Sequence, residues 1–225
     1  TVQAARRAPG ARVLPRPVST APVPAASGGF ARDRIILIGA STGGVDALLK
    51  VLAAFPADCP PTLVVQHTGG AFTPGLSRLL DGAATPRVRE AEDGRPIAPG
   101  EVLLAPGSTR HLHLAGSGGT VRTALVEGPA ISGHRPSVDA LFRSAVPVAG
   151  RVVAAILTGM GRDGADGLLA LRRAGAETFG QDEATSVVYG MPRVAAGLGA
   201  VGRQMPIGSM GAALLAACQP GRMRA

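Results

Sequence analysis

The chain is poor in aromatic residues and in lysine. It has no Trp, one Tyr and five Phe among 225 residues, and Lys50 is its single lysine. Proteins that bind single-stranded nucleic acid combine basic grooves with aromatic side chains on which bases stack. The net charge of +8 therefore does not indicate a nucleic-acid partner, and we expect none. A moderately basic protein suits an acidic protein partner equally well.

Long apolar runs and cysteine patterns are also missing. No run approaches the roughly 18 apolar residues of a membrane-spanning helix, so membrane insertion is not expected. The two cysteines, Cys59 and Cys218, define no disulfide framework and favour a reducing, cytoplasmic setting. The histidines are scattered and there is no His-Glu-x-x-His motif, so no metal site is predicted.

The first 30 residues differ in composition from the rest of the chain. They are rich in Ala, Pro, Arg, Ser and Gly, and their charged residues are four arginines: Arg6, Arg7, Arg12 and Arg16. This composition predicts a flexible linker or tail over residues 1–30. One domain is expected over residues 31–218, followed by a short C-terminal tail over 219–225.

Beyond the tail, short apolar runs alternate with helical patterns. Apolar runs typical of strands occupy 35–38, 63–65, 102–104 and 152–157, with weaker candidates at 178–179 and 187–188. Helical spacing occupies 45–55, 76–80, 137–146, 168–174 and 207–218. Residues 111–114 and 121–126 flank a glycine-rich segment, which predicts a β-hairpin. The alternation predicts an α/β fold with a mostly parallel sheet and helices on both faces.

Ser41 lies on a tight turn between the first predicted strand and the first predicted helix, in Gly39-Ala40-Ser41-Thr42-Gly43. A serine in this position has an exposed hydroxyl and is typical of a hydrolase nucleophile. Two other interpretations remain open at this point: an anion-binding turn at a helix N-terminus and a purely structural turn. The segment has neither the Gly-x-Gly-x-x-Gly spacing nor the Lys-Ser/Thr of a P-loop.

His67 and Asp163 follow two other predicted strands. If the strands are parallel neighbours, both residues meet Ser41 at the carboxyl edge of the sheet, where a base and an acid could activate the serine. His67 could instead be a structural histidine at a strand end, and Asp163 a turn or cap residue, a role that Asp166 could equally take. His134 is the competing base, or it lines a substrate groove.

The remaining polar features are less directly chemical. His111 and His113 alternate within the hairpin and are expected on its exposed face. Glycines around Met160 allow backbone N–H groups to point into a cavity as oxyanion donors. The chain order Ser41, His67, Asp163 differs from the Ser, acid, His order of α/β-hydrolases, so a lipase-type fold is not expected.

Several motifs together resemble one known family, the bacterial chemotaxis receptor methylesterases (CheB). Ile38–Gly44 is similar to the family's nucleophile motif, and Val65-Gln66-His67 to its histidine motif. Further segments match in the same order between about Arg34 and about Val201: 91–94, 104–107, 134–139, 157–165 and 190–192.

The resemblance implies a doubly wound α/β domain with an added antiparallel β-hairpin. It implies that Ser41 is the nucleophile, His67 the base and Asp163 the orienting acid. Thr42 and the backbone at Met160 match the positions of the accessory and oxyanion contacts. The implied reaction is hydrolysis of glutamate γ-methyl esters on the helical bundle of chemoreceptors, with methanol released and some members also deamidating glutamines. No cofactor is implied.

Two departures from the family pattern affect what the resemblance implies. Thr68-Gly69-Gly70 follows the histidine where the family usually has Met-Pro, so substrate contacts beside the base are expected to differ. The family usually carries an amino-terminal receiver domain, and residues 1–30 resemble its interdomain linker. We therefore expect that a receiver was either removed or never present.

Two other functions fit the same residues. One is a serine esterase or amidase of the same fold that acts on another protein or on a small ester. The other is a non-catalytic module that binds receptors or an anion. His134 and Arg135 are the candidate substrate-groove residues, whether the enzyme is a receptor methylesterase or another esterase or amidase.

Overall fold

A computed structural model describes residues 29–31, 33–107, 109–116 and 120–220. Its strands are β1 (Ile35–Ala40), β2 (Thr62–Gln66), β3 (Arg87–Glu90), β4 (Glu101–Leu104), β5 (Arg110–Ala115), β6 (Arg122–Glu127), β7 (Val152–Ile156), β8 (Glu177–Gln181) and β9 (Arg203–Met205). Its α-helices are α1 (Gly44–Leu52), α2 (Thr73–Ala83), α3 (Val138–Ser144), α4 (Ala165–Arg173), α5 (Met191–Gly197) and α6 (Ile207–Ala217).

Seven strands form one parallel sheet in the order β3-β4-β2-β1-β7-β8-β9. The chain builds one half of the sheet outward from β1 through β2, and later returns to the other side of β1 with β7. The strand order therefore reverses beside β1, which makes the fold doubly wound and puts a crevice at the carboxyl ends of these central strands. Strands β5 and β6 form a separate antiparallel hairpin. The predicted fold class is confirmed.

Two hydrophobic cores cover the two faces of the sheet. Ile36 and Ile38 of β1 point into the core formed with α1, α2 and α6, whereas Ile35 and Leu37 point into the core formed with α3, α4, α5 and the hairpin. Every residue of β1 is buried, because helices cover both faces of a parallel sheet. This explains why its sequence is a continuous apolar run rather than an alternating one.

The structure differs from the sequence-based prediction in four elements. Val187-Val188 is not a strand; it belongs to the loop between β8 and α5, and Val187 is 67% exposed. The edge strands β3 and β9 and the short helix α5 were not predicted. Both edge strands are rich in exposed or half-buried polar residues, so they lack the apolar signal on which the prediction rested.

The predicted domain boundaries fall near the limits of the described residues. The expected tails lie mostly outside them, since residues 1–28 and 221–225 are not described. Phe30, placed in the linker by the prediction, packs against the α1/α6 core, and the Ala31 N–H donates to the Cys218 carbonyl (2.9 Å). Among the described helices, none is both long and apolar enough to cross a membrane.

Candidate active site

The structure places the predicted serine and histidine side by side. Ser41 and His67 follow the neighbouring strands β1 and β2, whose last paired residues are Ala40 and Gln66. The ladder continues beyond the strands: the His67 N–H donates to the Ala40 carbonyl (2.9 Å), and the Ser41 N–H donates to the Thr158 carbonyl (3.0 Å). The backbone of both residues is therefore held by the sheet itself.

His67 forms the predicted contact with Asp163. Its Nε2 lies 2.8 Å from Asp163 Oδ2, and the histidine side chain is 7% exposed. Since a carboxylate accepts hydrogen bonds, this contact puts the imidazole proton on Nε2 and leaves Nδ1 as the acceptor. Nδ1 is buried and has no partner among the described residues, so it is the ring atom available to take a proton.

Asp163 is buried and accepts hydrogen bonds on both oxygens. Oδ2 accepts from the Val138 N–H (2.8 Å) as well as from His67, and Oδ1 accepts from the Ser137 hydroxyl (2.7 Å) and the Asp139 N–H (3.1 Å). Burial acts to raise the pKa of Asp163, but these four donors outweigh it, and the pKa is lowered. The carboxylate is therefore charged at neutral pH and faces the imidazole.

Close backbone packing shapes the turn that carries Ser41. Gly43, the N-cap of α1, has a φ of 79°, which a residue with a side chain rarely adopts. Gly159 approaches from the loop after β7 so closely that a Cβ on it would lie 2.7 Å from Ser41 Cβ. Gln66, the last residue of β2, links the turns that carry Ser41 and His67: its Nε2 donates to the Ser41 carbonyl (2.8 Å) and to the His67 carbonyl (3.0 Å).

The candidate oxyanion donors can be sorted by whether their N–H groups are already used. The Ser41 N–H is occupied, because it donates to the Thr158 carbonyl (3.0 Å). The N–H groups of Thr42 and Met160 have no hydrogen-bond acceptor within the described part of the chain. Met160 is 67% exposed, and the adjacent Gly159 packs against Ser41.

His134 and Arg135, predicted as groove residues, take different positions. The His134 ring stacks on the His67 ring, with centroids 3.7 Å apart and an angle of 7° between the planes. Arg135 is exposed, and its guanidinium donates to the Gly128 carbonyl (2.9 Å). Asp166, considered as a cap residue, makes no side-chain cap bond on α4 and instead forms an ion pair with Arg162 (2.8 Å) at the surface.

The prediction for His111 is wrong. Its side chain is buried rather than exposed. Nδ1 accepts from the Ser137 N–H (3.1 Å), and Nε2 donates to the Pro129 carbonyl (3.0 Å). This histidine therefore fixes the residue that donates its hydroxyl to Asp163.

Sequence reasoning missed three residues that support the site. The histidine motif contains Gln66 without giving it a role, the helical pattern at 137–146 begins at Ser137, and Gly159 is one of several glycines in its loop. A polar residue closing an otherwise apolar strand is the signal that could have identified Gln66. No group of three or more metal-ligating side chains is found among the described residues.

Comparison with known proteins identifies the family of the chain. Residues 36–214 match the CheB methylesterase family. The chain is 53% identical over 182 residues to a protein-glutamate methylesterase/protein-glutamine glutaminase of Caulobacter vibrioides, covering 80% of this chain and 53% of the relative. It is 49% identical over 199 residues to one of Rhizobium johnstonii, covering 88% and 57%.

A solved structure shows the same architecture. The crystal structure of the Thermotoga maritima CheB methylesterase catalytic domain superposes with a TM-score of 0.79 at 34% identity, covering 85% of this chain and 99% of that domain. The chain spans about half the length of the curated relatives it matches. On the extent of these matches, the chain belongs to the CheB methylesterase family.

Proposed function

We propose that this chain is a serine hydrolase that removes methyl groups from glutamate γ-methyl esters of chemotaxis receptors in the cytoplasm, and that it also deamidates receptor glutamines. The 2.8 Å bond between His67 and Asp163, beside a serine held on the neighbouring strand end, is the observation that carries the reaction class. The substrate is proposed from the family, whose related members are named for both reactions.

The proposed reaction is acyl transfer through Ser41. His67 Nδ1, the unpaired ring nitrogen, takes the hydroxyl proton as Ser41 Oγ attacks the ester carbonyl. Asp163 stabilises the imidazolium that results. The imidazolium returns the proton to the leaving methoxide, methanol departs, and water cleaves the acyl-enzyme by the same steps. Catalytic hydrogen bonds often tighten only in the substrate complex, which accounts for the unpaired Nδ1.

The N–H groups of Thr42 and Met160 are the proposed oxyanion donors. Both lack an acceptor among the described residues, and Thr42 directly follows the nucleophile, the position that supplies one such donor on other serine elbows. Removing one donor of this kind typically costs about 2.7–4 kcal/mol of transition-state stabilisation.

The openness of the site favours a protein substrate over a small ester. Thr42, Met160 and Val187 around the Ser41 turn are exposed, whereas a small-ester enzyme needs an enclosed apolar pocket. We therefore propose the helical bundle of a chemoreceptor as partner. The resemblance also implies an amino-terminal receiver domain in a longer chain, and the greater length of the relatives leaves room for one.

Methanol release from methylated chemoreceptor membranes tests this proposal. Ser41→Ala should lower the rate on the order of 10⁶-fold if the three residues act as a unit. Ser209→Ala, an exposed serine on α6, is the matched control and should keep full activity. A Ser41→Ala variant that retained a tenth of the turnover would refute the nucleophile assignment, and an inactive wild-type chain that still reacts with a fluorophosphonate at Ser41 would indicate a different ester.

A further inference from the structure

The catalytic histidine has a second histidine lying flat against its ring. The His134 and His67 rings are 3.7 Å apart between centroids and 7° from parallel. None of the hydrogen bonds that hold Asp163 involves His134. The contact is therefore a separate support for His67, made through the face of the ring rather than through its nitrogens.

The backbone fixes His134 in this position. Ile131 and His134 exchange two backbone hydrogen bonds (3.1 and 2.9 Å) across a two-residue turn in which Ser132 has a φ of 51° and Gly133 of 80°. Positive φ at both central residues is the geometry of a tight hairpin turn. Arg135, the residue after His134, is also held: its guanidinium donates to the carbonyl of Gly128, which directly follows β6.

Only one of the two stacked rings is placed to carry a charge. Asp163 Oδ2 bonds directly to His67 Nε2. Burial lowers the pKa of His134, and the adjacent His67 lowers it further, against a smaller opposing effect of Asp163. The positive charge that arises during acyl transfer is therefore assigned to His67, with His134 neutral beside it.

The face-to-face geometry of the two rings is more favourable for a positively charged His67 on a neutral His134 than for two neutral rings. Neutral aromatic pairs prefer offset or edge-to-face arrangements over a face-to-face one. A cation over the face of a neutral ring is attracted by the ring quadrupole. The interaction thus strengthens as His67 becomes an imidazolium, which is the state that the reaction must stabilise.

We propose that His134 is a positioning residue, whose ring holds the plane of the His67 imidazole with Nδ1 toward Ser41 and stabilises the imidazolium formed in the reaction. This inference rests on the proposed triad. It differs from the groove role expected from the sequence, in which His134 would contact substrate and its loss would weaken binding rather than turnover.

The test compares His134→Phe, which keeps a planar ring, with His134→Leu, which keeps an apolar side chain but no ring. We expect His134→Phe to retain turnover within about 3-fold, and His134→Leu to lower both kcat and the rate of Ser41 modification by a fluorophosphonate about 10- to 100-fold, the cost of a small misplacement of a catalytic group. KM should stay unchanged in both variants.

Three results separate the alternatives. A His134→Leu variant that reacts at the wild-type rate overturns the inference, as does an equal loss in His134→Phe and His134→Leu accompanied by a raised KM. Absence of fluorophosphonate reaction in the wild type would instead refute the proposed nucleophile. His134→Gln, a ringless polar variant, replaces His134→Leu if the latter does not fold, and the same outcomes decide.

Discussion

Replacing Asp163 by Asn tests how the site holds its proposed catalytic acid. The carboxylate accepts four hydrogen bonds, two on each oxygen, whereas an amide has one acceptor oxygen and an NH₂ group that only donates. Either orientation of the amide therefore faces its NH₂ toward a backbone N–H. The two orientations make different predictions for catalysis.

In the first orientation the NH₂ replaces Oδ2. It then opposes the Val138 N–H and requires His67 to accept at Nε2, so that Nδ1 carries the proton and cannot receive one from Ser41. A wrong tautomer of this kind lowers turnover about 10⁴-fold in other serine triads. In the second orientation the NH₂ replaces Oδ1 and opposes the Asp139 N–H, while the Ser137 hydroxyl rotates to accept from it.

Each orientation leaves one buried N–H unpaired. The second should dominate, because the bond that it gives up, from the Asp139 N–H (3.1 Å), is longer than the Val138 bond (2.8 Å) that the first gives up. One unpaired buried N–H and the loss of charge assistance in the remaining bonds together cost about 2–4 kcal/mol of unfolding free energy. Turnover should fall about 10²- to 10³-fold, the usual effect of losing one preorganised electrostatic contact. A 10⁴-fold loss would indicate the first orientation.

Urea unfolding and methyl-ester turnover measure these two effects, with Asp166→Asn as the control, a half-buried carboxylate in the first turn of α4, the helix that follows Asp163. The control should change stability by less than about 0.5 kcal/mol. Because the pKa of Asp163 is lowered in the folded protein, its stabilisation is present above the unfolded-state pKa of about 3.9 and is lost as pH falls through the folded value. The stability gap between wild type and Asp163→Asn should therefore narrow in acid; a variant as stable as wild type at pH 7 would refute the reasoning.

Three further substitutions test the surroundings of the site. Gly159→Ala should abolish turnover, since its Cβ would lie 2.7 Å from Ser41 Cβ; wild-type kcat would contradict this. Gln66→Met removes the donor to two carbonyls and should cost about 1–3 kcal/mol in urea unfolding, so an unchanged midpoint would count against that role. Burial raises the pKa of Asp139, so the ionised carboxylate costs stability as pH rises through that pKa. Asp139→Asn should therefore be no less stable than wild type at pH 7. A loss of stability resembling that of Asp163→Asn would show that ionised Asp139 stabilises the fold instead.

The sequence was informative about the central strands and the residues that follow them. The run Ile35–Ile38 is buried on both faces of a parallel sheet, so an uninterrupted apolar run is its expected signature. The carboxyl ends of parallel strands meet at one edge, which is why Ser41, His67 and Asp163 could be grouped from their positions alone. Roles for individual residues within the group still rested on chemistry that several arrangements could satisfy.

Features set by long-range contacts could not be predicted in the same way. His111 alternates with apolar residues as an exposed strand residue would, and its burial depends on partners at Pro129 and Ser137. The edge strand β9 is three residues long and is defined by its pairing with β8 rather than by any local preference. Likewise, the orientation of the His67 ring depends on which nitrogen meets Asp163, a fact that no spacing encodes.

The strand order explains why the proposed catalytic acid is held by a helix from elsewhere in the chain. Ser41 extends from β1, which lies between the strands that precede His67 and Asp163, so the histidine and the acid must meet across the end of the central strand. Helix α3 makes this possible: Val138 packs against Gly39 and Gly164, where a Cβ would overlap its side chain, and its N–H reaches Asp163. Gly39 of β1 and Gly164 after Asp163 thus allow the start of α3 to pack directly against the sheet. The Asp163 carboxylate is therefore positioned by the N-terminus of α3 rather than by its own loop.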